Sequence, residues 1–287
     1  MGRRACFAAA TLALLALQPA AASASRGHSG VAALQVALRA HHLYAGDVDG
    51  WYGRLTRRAV RRFQRRKRIA ADGIAGPRTL RAFGRRGRPR LGARAIRPGA
   101  AGFDVAALQF LLAWQGFPSG TIDGGYGPRT GRALRGFQRR AGLGVDGIAG
   151  RGTLGAVRRR PPRSPLRLFR PVRRQRIGDR FGPRGDRFHA GLDFPAPYGW
   201  NVRAARRGRV RFSGWLAAYG RTVIVAHRGR VRTLYAHLSA ATVRRGERVS
   251  TAERIGRVGS TGNATGPHLH FEVIVRGANV DPLTAIR

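Results

Sequence analysis

The feature that most constrains the fold is an internal repeat, because residues 31–80 recur without a gap as residues 105–154. The first copy begins VAALQVALRAHHLYAGDVDGWYG and the second begins VAALQFLLAWQGFPSGTIDGGYG. The identical pairs include Leu34/Leu108, Gln35/Gln109, Asp49/Asp123, Gly53/Gly127, Thr56/Thr130, Phe63/Phe137, Gln64/Gln138, Asp72/Asp146 and Thr79/Thr153. Two copies are too few for a solenoid, so the repeat indicates a tandem of small domains.

Each copy has the pattern of three short helices. Val31, Leu34 and Leu38 recur at helical spacing in the first predicted helix. The second predicted helix of the same copy has apolar residues at the same spacing and arginines on its other face. The Asp-Gly pairs at residues 49–50 and 72–73 mark the turns between helices. The middle of the chain therefore predicts two three-helix modules.

The turn pattern of these modules, D-G-x-[YF]-G-x-x-T followed by F-Q and D-G-I-x-G-x-x-T-L, resembles the peptidoglycan-binding domain type 1 family. The resemblance covers most of residues 30–84 and 104–156. It implies a helical module that docks enzymes on the bacterial cell wall. We expect the motif phenylalanines, Phe63 and Phe137, and the turn glycines to serve packing and backbone geometry, and not ligand contact.

The start of the chain is typical of a secretory signal: a basic MGRR, the apolar run CFAAATLALLAL, and the cleavage-like Ala22-Ser23-Ala24. The apolar run is too short to span a bilayer. The single cysteine, Cys6, lies inside it, so neither disulfides nor thiol ligands are expected in the mature protein. We predict a secreted protein, extracellular or associated with the cell wall, with no transmembrane segment in the mature chain.

The formal net charge is +42, and Lys67 is the only lysine among 55 basic residues. Such a field attracts polyanions, including nucleic acid and acidic wall polymers. However, arginine is spread along the whole chain, as a general bias in arginine codons would produce. Basicity alone is therefore weak evidence for a nucleic-acid partner, and no specific nucleic-acid binding is expected.

From about residue 176 the pattern changes to short alternating strands separated by glycine, such as RTVIVAHRG, RVRTLYAHLS and HLHFEVIVRG. This pattern predicts an antiparallel β domain. Five of the eight histidines lie in it.

Four of these histidines and one aspartate are candidates for a metal site. His189 and Asp193 form an H-x-x-x-D pair that Gly191 and Pro195 place on a strand and loop instead of a helix. In HLHFEV, a strand projects His268 and His270 to the same side. The remaining candidate is His237 in LYAHLS. Glu272 is interpreted as a solvated strand residue, with a role as a hydrogen-bond acceptor as the alternative, and His227 as a residue that ends a strand.

A catalytic zinc site needs three protein ligands and an open position. His189, Asp193 and one member of the HLH pair supply that set, and the sequence leaves open which member. The other member and His237 could then handle protons and stabilise an oxyanion.

The motifs RFGPR, HAGLDF, YGRTVIVAHRG, TLYAHLS, GPHLHFEV and Asp281-Pro282 resemble the lysostaphin-type (LytM-like) zinc endopeptidase family over residues 180–283. The resemblance implies an enzyme of antiparallel β architecture that binds one zinc ion and cuts the peptide part of peptidoglycan. By position, it implies His189, Asp193 and His270 as metal ligands and His237 and His268 as catalytic residues. Phe181 lies near a position where some relatives carry an auxiliary tyrosine; Tyr235 could compensate, although packing is expected for it.

Together these features predict a multidomain α+β protein, in which two three-helix modules precede an antiparallel β-sheet metallopeptidase domain. Its expected parts are a signal peptide (1–24), repeat 1 (28–84), an Arg/Gly/Pro linker (85–100), repeat 2 (101–157), a basic Pro-rich linker (158–175) and the endopeptidase domain (176–287).

The expected function is zinc-dependent hydrolysis of peptidoglycan peptide bonds by an enzyme that the two modules anchor to the wall. Peptidoglycan is the expected partner, and the second linker is either a mobile patch for anionic wall polymers or an inert spacer. The alternative function is a non-catalytic protein that binds the wall or activates a hydrolase.

Overall fold

The computed structural model describes residues 27–286, in which a helical N-terminal part is followed by an antiparallel β part. This confirms the predicted α+β class and the two three-helix modules. The predicted signal peptide and Cys6 lie outside the described residues. The helices are α1 (Ser29–Ala40), α2 (Arg54–Arg66), α3 (Pro77–Ala82), α4 (Phe103–Trp114), α5 (Pro128–Ala141) and α6 (Arg151–Val157).

Glycine and proline set the helix ends in both modules. Gly53 and Gly127 precede α2 and α5 in extended conformation, and Pro128 occupies the first turn of α5, where its missing N–H costs nothing. Gly142 ends α5 in the left-handed conformation that favours glycine. From residue 27 to residue 286, no helix combines the length and the apolar character needed to cross a membrane.

A buried glutamine holds each Asp-Gly turn of the modules. Gln64 donates from Nε2 to Asp72 Oδ1 (2.7 Å) and Thr79 Oγ1 (3.0 Å), and its Oε1 accepts from the Gly73 N–H (2.8 Å). The same arrangement recurs at three further buried glutamines, Gln35, Gln109 and Gln138. Many of the identities between the two copies therefore belong to one hydrogen-bonding unit used four times.

Substituting Gln64 by alanine should lower the free energy of unfolding by about 1–3 kcal/mol, since it leaves the Gly73 N–H and Thr79 hydroxyl without this partner. Chemical denaturation followed by circular dichroism measures the change. The matched control is Arg65→Ala, because Arg65 is the exposed next residue on the same helix. Equal stabilities of the two variants would contradict the structural role of the glutamine.

The two modules share a core. Helix α4 packs on α1, and Phe103, Phe110 and Ile122 of the second module join the apolar cluster of the first. The segment predicted as the first linker also packs: Ile96 is buried in the core of the second module and its backbone pairs with Ala149.

The second predicted linker is not a solvated spacer over its C-terminal half. Leu168 and Val172 are buried in the core of the β domain, and the Phe169 N–H donates to the Ala205 carbonyl (2.6 Å). The expectation of a mobile segment was wrong there. The proline and arginine content indicated a solvated linker, but the β core buries two apolar side chains of this segment.

The β part forms one large sheet and two small ones, and all pairs of the named strands are antiparallel. The large sheet has the order β12-β11-β7-β6-β5-β9, with β3 also paired to β11. The strands are β1 (Gly182–Arg184), β2 (Arg187–His189), β3 (Leu192–Pro195), β4 (Asn201–Arg203), β5 (Gly208–Trp215), β6 (Arg221–His227), β7 (Val231–Ala236), β8 (Leu238–Ala241), β9 (Arg248–Val249), β10 (Arg254–Val258), β11 (His268–Val275) and β12 (Ala278–Val280).

Both modules contact the hairpin of β1 and β2. Trp114 at the end of α4 packs edge-on against Phe181 and Phe188, with ring centroids 6.2 and 5.3 Å away. The Val48 N–H of the first module donates to the Gly185 carbonyl at the tip of this hairpin (2.8 Å). The helical part is thus packed against the strand that ends at His189.

Candidate metal centre and active-site cleft

Three side chains from three strands converge at one point. His189 ends β2, Asp193 lies in β3, and His270 lies in β11, where the antiparallel register places it directly opposite Asp193. His189 Nε2 is 3.1 Å from Asp193 Oδ1 and 3.1 Å from His270 Nδ1, and His270 Nδ1 is 2.8 Å from Asp193 Oδ1. All three residues are almost completely buried.

This cluster fits a single metal ion. Ligands that bind zinc at about 2.0–2.1 Å lie roughly 3.3 Å apart in a tetrahedron, close to the observed separations. Two imidazoles and one carboxylate also match the nitrogen and oxygen ligands that zinc accepts. In the described part of the chain, these three residues are the group of histidine and acidic side chains that could hold a metal ion.

The opposite nitrogen of each imidazole is fixed by an acceptor. His189 Nδ1 lies 2.9 Å from the Arg180 carbonyl oxygen, and His270 Nε2 lies 3.1 Å from Glu272 Oε1. A carbonyl oxygen can only accept, so Nδ1 of His189 carries the proton and Nε2 faces the cluster. Such outer partners orient metal-binding histidines.

Glu272 is 2% exposed, so the interpretation as a solvated strand residue is wrong. Its carboxylate accepts from His270 Nε2, from the Tyr219 hydroxyl (2.7 Å) and from Asn279 Nδ2 (2.6 Å). These three donors satisfy a charge that would be costly to bury alone.

The cluster changes the acidity of its members. Burial on its own would raise the pKa of Asp193, but hydrogen bonds from His189 and His270 outweigh it and hold that pKa well below the usual range. Burial alone would lower the pKa of His270, whereas its hydrogen bonds to Asp193 and Glu272 raise it to about 9. The Asp193 carboxylate therefore stays ionised, as a metal ligand must.

His268 and His237 lie beside the three-residue cluster. His268 shares the face of β11 with His270, and its Nε2 is 4.0 Å from Asp193 Oδ1. His237 follows β7 in a left-handed backbone conformation, and its ring centroid is 4.8 Å from that of His268. The five residues predicted for the site are thus brought together, whereas His227 lies elsewhere and hydrogen-bonds Thr233.

The two flanking histidines have the same hydrogen-bond pattern. His268 Nδ1 is 2.8 Å from the Gly266 carbonyl oxygen, and His237 Nδ1 is 2.7 Å from that of Thr261. Each Nδ1 therefore carries a proton, so that in the neutral imidazole Nε2 is the acceptor. Burial lowers the pKa of His237, so this imidazole is neutral at pH 7.

These residues line an open cleft of about 690 Å³. Sequence reasoning missed three further residues of its wall, Arg184, Arg187 and Tyr219. Arg184 Nη1 is 3.1 Å from Asp179 Oδ2 and 3.5 Å from Asp193 Oδ2. Nothing in the pattern distinguishes two arginines among so many, although Tyr219 is one of only six tyrosines.

Tyr235 lies outside the cleft wall. It is fully buried, its hydroxyl accepts from the Ala205 N–H (2.7 Å), and burial raises its pKa to about 12. The expected packing role is confirmed. Phe181 is also buried, against Trp114 and Phe188.

Comparisons with known proteins agree with this architecture. Residues 187–282 match the family model "Peptidase family M23", and residues 27–83 and 102–157 match "Putative peptidoglycan binding domain". A "DD-carboxypeptidase/endopeptidase Mpg" of Neisseria meningitidis is 45% identical over 98 residues, which cover 34% of this chain and 23% of that protein. A "Peptidoglycan DD-endopeptidase ShyC" of Vibrio cholerae is 37% identical over 124 residues, covering 41% and 29%.

Among solved structures, the catalytic domain of lysostaphin from Staphylococcus simulans is 32% identical, with a TM-score of 0.37 over 38% of this chain and 90% of that one. The chain spans about a quarter of the length of the two curated relatives.

Proposed function

Since the C-terminal domain belongs to peptidase family M23 and the two helical modules to the peptidoglycan-binding family, we propose that this protein is a zinc-dependent endopeptidase of peptidoglycan. The observation that carries the proposal is the cluster of His189, Asp193 and His270, flanked by two further histidines in one cleft. Two imidazoles and a carboxylate that leave one side open to a cleft are the ligand set of a hydrolytic zinc site.

In the proposed mechanism, His189 would hold the ion through Nε2, His270 through Nδ1 and Asp193 through Oδ1. A zinc ion bound there would supply Lewis-acid chemistry and would lower the pKa of water. His268 and His237 act as general base and general acid through Nε2. In the neutral form an imidazole accepts the proton of the attacking water, and in the imidazolium form it donates a proton to the oxyanion or the leaving amine.

The cleft also suits the chemistry of a wall peptide. Arg184 and Arg187 line it beside the proposed metal ligands, and guanidinium groups bind carboxylates through paired hydrogen bonds. The stem peptides of peptidoglycan carry such carboxylates. We therefore propose that the bond cut lies in a stem peptide or a cross-link.

The proposed place of action is outside the cell, where the two modules hold the enzyme on the wall. The division into a signal peptide, two repeats, two connecting segments and the peptidase domain is part of this proposal. The net charge of +42 supports anionic wall polymers as a second partner through long-range attraction.

The test incubates the full chain, stripped of metal and then reconstituted with zinc, with purified peptidoglycan sacculi. We expect zinc-dependent release of new amino groups, and mass spectrometry of the released muropeptides identifies the bond. Sedimentation with sacculi in the same samples measures wall binding separately. Binding without any newly freed amino group at any zinc concentration would support the non-catalytic alternative instead.

A further inference from the structure

The second module contacts the β domain through a backbone pair at Gly116, in the turn after α4. The Asn279 N–H on β12 donates to the Gly116 carbonyl oxygen (3.0 Å). Gly116 has a φ of +87°, and a Cβ built on it would overlap the carbonyl oxygen of Asn279. Only glycine permits this approach.

This contact is not a general property of the repeat. The residue equivalent to Gly116 in the first module is His42, which carries a side chain that the docked position could not accommodate. Loop residues Pro118 and Gly120, which follow in the second module, line the cleft itself. The second copy has therefore become part of the wall of the site, and the first has not.

Asn279 connects this docking point to the metal cluster. Its Nδ2 donates to Glu272 Oε2 (2.6 Å), and Glu272 Oε1 accepts from His270 Nε2 (3.1 Å). One chain of hydrogen bonds thus runs from the backbone of the second module through Asn279 and Glu272 to the imidazole of His270. Both side-chain bonds end on the buried carboxylate of Glu272, so they are charge-assisted.

We infer that Asn279 is a positioning residue of the metal centre and that the second module, through Gly116, holds it in place. This inference rests on the proposed zinc site. Without the Asn279 amide, Glu272 Oε2 loses its hydrogen bond from Asn279 Nδ2, so the carboxylate is free to rotate. Rotation weakens the acceptor that holds the His270 ring with Nδ1 toward the metal.

The first experiment measures the zinc dissociation constant of the full chain by competition with a chromogenic chelator. Asn279→Ala should bind zinc about 10–100-fold more weakly, the usual effect of removing an outer-shell partner. Asn279→Asp keeps the shape of the side chain but removes the Nδ2 donor, so its zinc affinity should fall by at least as much. The matched control is Asn201→Ala, at an exposed asparagine on β4, which should bind zinc as the wild type does.

The second experiment tests the contribution of the module. Gly116→Ala should weaken zinc binding, whereas Gly142→Ala should not. Gly142 also has a left-handed conformation (φ +69°) but open space around its Cβ position, so both variants place alanine at a positive φ and only Gly116→Ala adds a clash. The double variant Gly116→Ala/Asn279→Ala should bind zinc no more weakly than the weaker of the two single variants, because both act through one path.

The outcomes separate this inference from the proposed function. The proposed function would be overturned if the wild type bound no zinc, or if the His270→Ala variant bound zinc as tightly as the wild type. A wild type that binds zinc as proposed, together with unchanged affinity in both Asn279 variants, would overturn the inference alone. Equal affinities of Gly116→Ala and Gly142→Ala would overturn it too. Far-UV circular dichroism identifies any variant that fails to fold, and Asn279→Asp then carries the test.

Discussion

Substituting His270 by alanine should leave the protein without stoichiometric zinc and without detectable hydrolysis of peptidoglycan. His270 Nδ1 lies 2.8 Å from Asp193 Oδ1 and 3.1 Å from His189 Nε2, so its removal takes one of three ligands from the proposed ion. Two ligands do not hold zinc against dialysis as three do. Metal content after dialysis, measured by mass spectrometry, and muropeptide release report the two losses separately.

The matched control for this substitution is His227→Ala. His227 lies in the same domain but hydrogen-bonds Thr233 and the Arg207 carbonyl, away from the cleft. The His227→Ala variant should retain one zinc ion and hydrolyse peptidoglycan as fast as the wild type. A His270→Ala protein that keeps both zinc and turnover would contradict the assignment of the metal centre.

Substituting His268 by alanine should give the opposite division, with zinc retained and turnover lost. Its Nδ1 is engaged with the Gly266 carbonyl and its Nε2 is 4.0 Å from Asp193 Oδ1, so it lies beside the metal cluster and not within it. Removal of a proton-transfer group typically lowers kcat by about 10²–10⁴-fold. The same range is expected for His237→Ala, whose ring is the neighbour of His268.

Because the two histidines act on one reaction, the double variant should lose less than the product of the single losses. Metal content and kcat on purified sacculi, measured on the same preparations, check this prediction. Loss of zinc from His268→Ala would instead make His268 a ligand and would reverse the roles proposed for the two histidines of HLHFEV.

The sequence predicted much of this site because the relevant signals are periodic and local. Alternation along a strand predicts that His268 and His270 share one face. In the structure both lie on β11 and line the same cleft. The repeat predicted two helical modules for a similar reason: the spacing of Leu34 and Leu38 and the Asp-Gly turns act over a few residues.

The contacts that the sequence could not predict join residues far apart in the chain. The burial of Glu272 depends on Tyr219 from a short 3-10 helix between β5 and β6 and on Asn279 from β12, and no short pattern indicates either partner. The docking of Gly116 on Asn279 depends on how two domains pack. Likewise, the burial of Leu168 is decided by a β core that lies later in the sequence.

The packing of Trp114 between the helical and β parts provides an optical probe of their association. The other three tryptophans, Trp51, Trp200 and Trp215, are 43%, 45% and 62% exposed, so their fluorescence should resemble that of indole in water. Trp114 contacts Phe181 and Phe188, and its emission should lie at shorter wavelength. A variant with phenylalanine at the other three positions would report separation of the domains as a red shift, without an added dye.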